Sequence, residues 1–227
     1  RQTFLSDLVS RRDKTLKTAS LDRINEDFHY GLRPGNFCIG ILKLDGHVFD
    51  DKENLRFMAD KVRGVMDRLL PECTFDYELL VAGGFFYFLL NFEESLRSQV
   101  RRQMKSLFDE VRIQGGILKD FAATLSLGAV CGGLDGLDSS LKSARLLIEE
   151  RLVAGTGKLL EGELPQKGSF ADSALFAEFN SRMSQALESL DVLSVREALQ
   201  QLKSQMLASP GITGHELLQM TKEVCNL

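Results

Sequence analysis

Apolar positions change their period several times along this chain, and each change marks an element. From Phe75 to Phe92 the sequence reads FDYELLVAGGFFYFLLNF, two runs rich in aromatic and long apolar residues around Gly83-Gly84. Such residues suit a pleated, largely buried surface, and a glycine pair between two such runs predicts a hairpin. Phe37 to Leu44, FCIGILKL, predicts a strand apolar enough to be buried on both faces and ended by Asp45-Gly46. Phe121 to Val130 predicts another strand, and Lys158 to Leu160 a short one.

Helical spacing fills the intervals. After Asn54, a candidate cap, Leu55, Met58, Val62, Val65, Met66 and Leu69 follow a 3-4-3 rhythm that Pro71 closes. A second amphipathic helix spans Glu93 to Val111, with Leu96, Val100, Met104, Leu107, Phe108 and Val111 on one face and Gly115-Gly116 as its stop. Leu141, Ala144, Leu147, Ile148 and Leu152 mark a third, stopped by Gly155 and Gly157. Residues 1–31 are also helical in pattern. Phe4, Leu5, Leu8 and Val9 form one stripe; after a basic break at Arg11 to Lys17, Leu21, Ile24 and Phe28 form another. Ser20 is placed to cap the second of these helices, and Gly31 with Pro34-Gly35 to close it.

The order β-α-β-β-α-β-α-β predicts an α+β domain over residues 35–163, with a mostly antiparallel sheet and flanking helices. Residues 1–34 read as an N-terminal helical linker. The stretch EGELPQKGS at 161–169 reads as a second linker into an all-helical extension, 164–227. There Phe176, Phe179, Met183, Leu187 and Leu190 line one long helix, which Val195, Leu199, Leu202 and Met206 continue or restart. Pro210-Gly211 breaks it. A final helix starts near Gly214 with Leu217, Leu218, Thr221 and Val224 on one side.

Composition narrows the function classes. The 227 residues are 44% apolar and 26% charged, a soluble globular balance. A net charge of −4 argues against a dominant basic nucleic-acid face in this segment, though not against a DNA-binding domain beside it. The longest apolar run, residues 79–90, is too short to span a bilayer, and RQTFLSDLVSRRDK has no signal-peptide core. The cytoplasm is the expected compartment. Cys38, Cys73, Cys131 and Cys225 lack CxxC spacing and read as reduced thiols, two or three of them in the core. An opening at Arg1 without Met and an ending on a helix-like stretch fit a segment of a longer protein.

Most candidate chemistry dissolves on inspection. GTGK at 155–158 has Leu152 where a phosphate loop needs its first Gly, and Leu159 where it needs Ser or Thr. It also lies at a helix end, so a glycine turn accounts for it. His29, His47 and His215 have no partners at metal-ligand spacing, and no GxSxG, HExxH or Cys/His nucleophile pattern occurs. Asp135 and Asp138 in CGGLDGLDSS lack the alternating ligands and distal Glu of a calcium loop, and are expected as turn and helix-capping residues. Arg97, Arg101, Arg102 and Lys105 form either a solvated helix face or a contact for an acidic partner. No metal and no cofactor is called for.

Three segments carry a family resemblance. ILKLDGHVF, VAGGFFYFLL and TLSLGAV with LKSARLLIEERLVAGTGKLL resemble, over residues 37–160, the GGDEF domain of diguanylate cyclases. That resemblance implies a nucleotide-cyclase-like sheet, with a metal-binding Asp-x-Asp on the first strand and two acidic residues after Gly83-Gly84. Here Lys43 stands at the first aspartate and only Asp45 remains; Phe85 and Phe86 stand at the acidic positions. Phenylalanine offers no oxygen to a metal ion, and Lys43 repels one. The family's inhibitory RxxD motif would fall at Phe75 and Glu78, without its arginine.

The flanks sharpen the resemblance. FLSDLVSR, a helix ending in YGL, the degenerate domain and ALESLDVLSVREALQQL together resemble the middle region of YesN-type response regulators. Purine-catabolism-type and diacid-type regulators carry a similar degenerate domain, usually without this helical tail. The resemblance implies a non-catalytic module, a homodimer, between a receiver and an AraC-type helix-turn-helix domain. DNA is met only through the latter, and no membrane is involved. The N-terminal stripe and the tail helices are the contact surfaces to expect, unless they pack onto the domain itself. Two alternatives remain: a small apolar or aromatic effector in a cleft refilled by Phe85 and Phe86, or binding of GTP or a cyclic dinucleotide without turnover.

Overall fold

Gly83 and Gly84 both take positive φ, 58° and 75°. Two successive left-handed residues twist a tight turn to match paired strands, and only glycine adopts them without a Cβ clash. The computed structural model describes residues 3–10, 20–118, 121–164, 174–208 and 211–225. In chain order its elements are α1 (Phe4–Ser10), α2 (Leu21–Phe28), β1 (Asn36–Asp45), α3 (Lys52–Leu69), β2 (Asp76–Ala82), β3 (Phe85–Phe92), α4 (Arg97–Leu118), β4 (Ala122–Leu127), α5 (Leu137–Glu149), α6 (Arg151–Ala154), β5 (Leu159–Leu160), α7 (Ala174–Glu188), α8 (Val192–Ala208) and α9 (Gly214–Cys225). They divide into two compact units, Arg1–Arg151 with Gly155–Leu164, and Leu152–Ala154 with Pro165–Leu227. The basic break Arg11 to Lys17, residues 165–169 of the expected linker, Pro210 and the side chain of Phe176 lie outside the described residues.

The first unit is α+β. Its five strands run in the order β2-β3-β1-β4-β5, antiparallel except for the β4–β5 pair. β1 is central and buried along most of its length, as a strand apolar on both sides must be. Side-chain alternation sorts the sheet into two cores. Leu42, Phe86, Phe88 and Leu125 pack on Met58, Val62 and Met66 of α3 and on Val100, Met104 and Leu107 of α4. Ile39, Ile41, Tyr87 and Leu89 pack on Leu141, Ala144 and Ile148 of α5 and on Phe4, Leu5 and Ile24 of α1 and α2. The N-terminal stripe therefore packs against its own sheet, with Phe4, Leu5 and Ile24 buried and Leu8, Val9, Leu21 and Phe28 partly buried. Asn91 pins the chain that connects them: fully buried, it accepts from Arg33 N (2.7 Å) and donates to the carbonyls of Arg33 and Asn36 (3.1 Å each). A buried amide is tolerated because its hydrogen bonds are made.

Several element ends differ from expectation. Ser20 does cap α2, accepting from Arg23 N at 3.3 Å. That helix stops at Phe28 rather than Gly31, because the Asn25 side chain bonds both N and O of Leu32 (2.9 and 2.8 Å) and His29 turns left-handed, φ 61°. Asp51, not Asn54, caps α3 by accepting from Glu53 N at 3.0 Å. α4 continues through Gly115-Gly116 to Leu118; neither glycine takes the left-handed turn that would end it, and about 1 kcal/mol per glycine is outweighed by the packing of the preceding turns. β4 ends at Leu127, three residues before the expected Val130, where Gly128 passes beneath α5. α5 starts after Gly136 with no side-chain cap. The N-cap position is Gly136 rather than either aspartate: Asp135 precedes it, and Asp138 sits in the first turn, where its charge suits the helix N-terminus. Leu152 falls beyond a break at Glu150 and is 42% exposed.

The second unit is helical. α7 and α8 form a hairpin whose core is Phe179, Met183, Ala198, Leu202 and Met206, joined by Met220 of α9. The helix expected to run through Leu190 ends at Glu188. Leu190 is left-handed (φ 53°), and Asp191 restarts the chain by accepting from Leu193 N and Ser194 N. Leu187, Leu190 and Leu199, expected on the packed stripe, are exposed: Ala186 takes the inward position beside Leu187, and the turn at Leu190 resets the phase for the residues after it. α9 opens on a reciprocal cap: Glu216 accepts from Thr213 N at 2.9 Å and returns its own N–H to Thr213 Oγ1 at 3.2 Å.

All four cysteines are free, with Cys38 and Cys73 buried. Burial pushes the Cys38 thiol from its ordinary 9.0 up to about 12. Burial, then the hydrogen bond to Asp67, moves Tyr77 from 10.0 to about 12. Tyr30 is raised by burial and by its hydrogen bond to Glu78. The folded chain thus holds protons that the unfolded chain releases. Stability is full below pH 9 and is lost progressively as pH climbs toward 12. Urea midpoints measured across that interval should fall steadily, and Cys38→Ala should flatten the lower part of the slope. A flat profile would contradict the burial of these groups.

Candidate functional site

The positions that the motif resemblance singles out lie where β1 meets the hairpin turn. Pairing sets Lys43 opposite Phe85 and Leu42 opposite Phe86. Because successive residues of a strand face opposite ways, Phe85 and Phe86 do not share a cleft. Phe86 points into the α3–α4 core and is fully buried; Phe85 lies half-buried on the other face with Lys43, Asp45 and Tyr87.

That second face is built from cations. Lys43 Nζ donates to Gly84 O at 3.2 Å and stands 5.0 Å from the centre of the Phe85 ring. The Arg151 guanidinium stands 5.9 Å from the same ring. Its Nε donates to Asp45 Oδ2 at 3.2 Å, and its Nη1 to the carbonyl of Ile148 at 3.0 Å. An aromatic face attracts a cation, so Phe85 binds the groups that an acidic residue at its position would otherwise have paired. The carboxylate on this strand, Asp45, is already neutralised by Arg151, whose side chain is 13% exposed.

This donor set does not fit the magnesium ion that a GGDEF domain would hold here. A hard divalent cation needs several oxygens, and the local groups are an ammonium, a guanidinium, a benzene ring and a single paired carboxylate. Among the described residues no cluster of three or more His, Cys, Asp or Glu could hold a metal. The RxxD positions also have structural uses. Arg33 lies 5.4 Å over the Phe75 ring, and Glu78 accepts from the Tyr30 hydroxyl. GTGK is a turn: Gly155 (φ 86°) ends α6, and Gly157 N donates to Thr124 Oγ1 at 3.2 Å. The histidines sit apart, His29 as a helix cap.

Arg151 is the residue that sequence reasoning missed. It lies far along the chain from Asp45 in a helix-terminal ERLVAGTGK stretch, and no spacing rule joins the two.

A solved structure described as showing a novel interaction mode between a microbial GGDEF domain and bis-(3′,5′)-cyclic di-GMP is similar to this chain with a TM-score of 0.39 and 12% identity, over 56% of this chain and 80% of that one. A likeness of that degree carries neither family nor ligand to this chain. No family model matches the chain, and no curated protein matches it. Among the described residues no helix is long and apolar enough to cross a membrane.

Proposed function

We propose that this chain is a non-catalytic regulatory module built on a degenerate GGDEF-like domain, the middle region of a cytoplasmic YesN-type response regulator. The observation that carries the first part is the Lys43 ammonium, held between Gly84 O and the Phe85 ring where a metal ligand would stand. A fixed cation there opposes both magnesium and the phosphoryl chemistry that magnesium serves. The second part rests on the motif resemblance and on the helical unit. That unit exposes Leu190 (87%), Val192 (70%) and Leu193 (69%) around the turn between α7 and α8. Apolar groups this exposed and this close together suit a contact with a second copy. In this reading the module dimerises and sets the spacing of AraC-type DNA-binding domains in response to a receiver.

Two measurements test the reading. Calorimetric titration with GTP and magnesium should give no binding heat; magnesium-dependent binding would sink the non-catalytic assignment. Sedimentation equilibrium should show a monomer–dimer equilibrium that Leu193→Glu shifts to monomer. A mass that stays monomeric at every concentration would sink the dimerisation role.

A further inference from the structure

In the first unit a groove of about 630 Å³ lies between α4 and the far ends of β4 and β5. It has a topological origin. β5 pairs with only Leu125 and Ser126 of β4, so no strand runs on the β5 side of Leu127 and Gly128. The chain then turns away at Gly162, φ 98°. The floor is apolar, formed by Leu90, Phe92, Val100, Met104 and Leu127. The thiol of Cys38, also in the floor, is satisfied by donating to Gly128 O at 3.3 Å.

The rim is charged on one side. Arg97 and Arg101 stand one turn apart on α4. Glu161 holds Arg101 through Nε at 2.8 and 3.0 Å, which fixes the guanidinium at the mouth. Arg97 has only a loose contact with Glu94 at 3.6 Å, beyond hydrogen-bond length, and both side chains are well exposed. Its donors are therefore open to a second anion. The volume lies within the range of small-molecule sites, and a guanidinium is the group best matched to a carboxylate.

We propose that this groove binds a small amphipathic anion, with an apolar chain or ring on the Met104–Phe92 floor and a carboxylate on Arg97 and Arg101. The groove opens on the α3–α4 face, opposite Lys43, Asp45 and Phe85, so it is not the nucleotide cleft that the motif resemblance implies. Nor does it depend on the regulatory reading, since an anion site here stands whether or not the chain dimerises.

The test is a titration of the full 227-residue chain with decanoate, followed by methionine-methyl NMR. Met104 belongs to the groove. Met58 and Met66 sit on α3, and Met183, Met206 and Met220 in the helical unit. The Met104 signal should shift saturably as for one site, and decyltrimethylammonium should not reproduce the shift. Arg97→Glu, a change on an exposed side chain, should weaken decanoate by about tenfold or more. Val130→Trp should fill the groove and abolish the response while the other methionine signals keep their positions. If Val130→Trp does not fold, Arg97→Glu decides. An unmoved Met104, a linear response, equal binding of the ammonium probe, an unaltered affinity in Arg97→Glu, or shifts confined to Met183, Met206 and Met220 would each overturn the proposal.

Discussion

Phe86→Glu should cost the sheet unit at least about 4 kcal/mol at neutral pH, read as a lowered urea midpoint. Phe86 is fully buried on a strand with a partner on each side, Leu42 in β1 and Val81 in β2, and its ring packs in the α3–α4 core. Removing a buried phenylalanine ring alone costs about 3–5 kcal/mol. The new carboxyl finds no partner there and stays protonated above its ordinary range. The deficit should therefore narrow in acid and widen as pH rises from about 4 to about 7, because the unfolded chain ionises the group first. The neighbouring change sets the control. Phe85→Asp places a carboxylate on the half-buried face beside Lys43 and Arg151, where pairing offsets the lost ring, and should stay within about 1 kcal/mol of wild type. A small effect at Phe86 would mean that the position is open to solvent and that the former site has not been absorbed into the core.

The second large effect is expected at Gly128. A Cβ built there meets Ser140 O at 2.2 Å and Ile39 O at 3.0 Å, both backbone atoms that cannot rotate aside. Gly128→Ala therefore lifts α5 from the sheet. With it go the hydrogen bonds Ser126 Oγ to Ala144 O (2.8 Å), Ile39 N to Ser140 Oγ (2.9 Å) and Ala129 N to Ser143 Oγ (2.7 Å). A loss of about 3 kcal/mol or more is expected from overpacking and unpaired buried groups. Gly64 on α3 supplies the contrast, since nothing lies within 4 Å of its Cβ position. Gly64→Ala should stabilise by about 0.5–1 kcal/mol. Thermal melts of the two variants should move in opposite directions; a Gly128→Ala protein that melts like wild type would refute the close approach of α5.

These two positions also show what the sequence makes legible. The hairpin, the fully apolar first strand and the amphipathic helices follow from local periodicity, which each element carries within itself. TLSLGAV announces a strand and a glycine, yet the reason for the glycine is Ser140, on a helix that the motif does not contain. Asp51 and Asn25 are choices among several capping residues a few positions apart, settled by the route of the chain after the helix. The pairing of Arg151 with Asp45 depends on β1 and α6 coming together, which no spacing encodes. In the tail the apolar rhythm runs on through Leu190 and Leu199, but a left-handed residue between two helices changes which later members of the rhythm face inward. The groove above Met104 has no sequence signature at all, because it is made by a strand that ends after two residues.

The central place of β1 has a consequence for synthesis. β1 is the first of the sheet's five strands to be made, yet both of its neighbours come later: Gly40 pairs with Phe88 on one side and with Leu127 on the other. Until the ribosome has delivered both, a ten-residue segment with two apolar faces has no sheet to enter. Of the five strands, nascent chains expose that segment longest, so NFCIGILKLD is where stalled or truncated products would begin to aggregate.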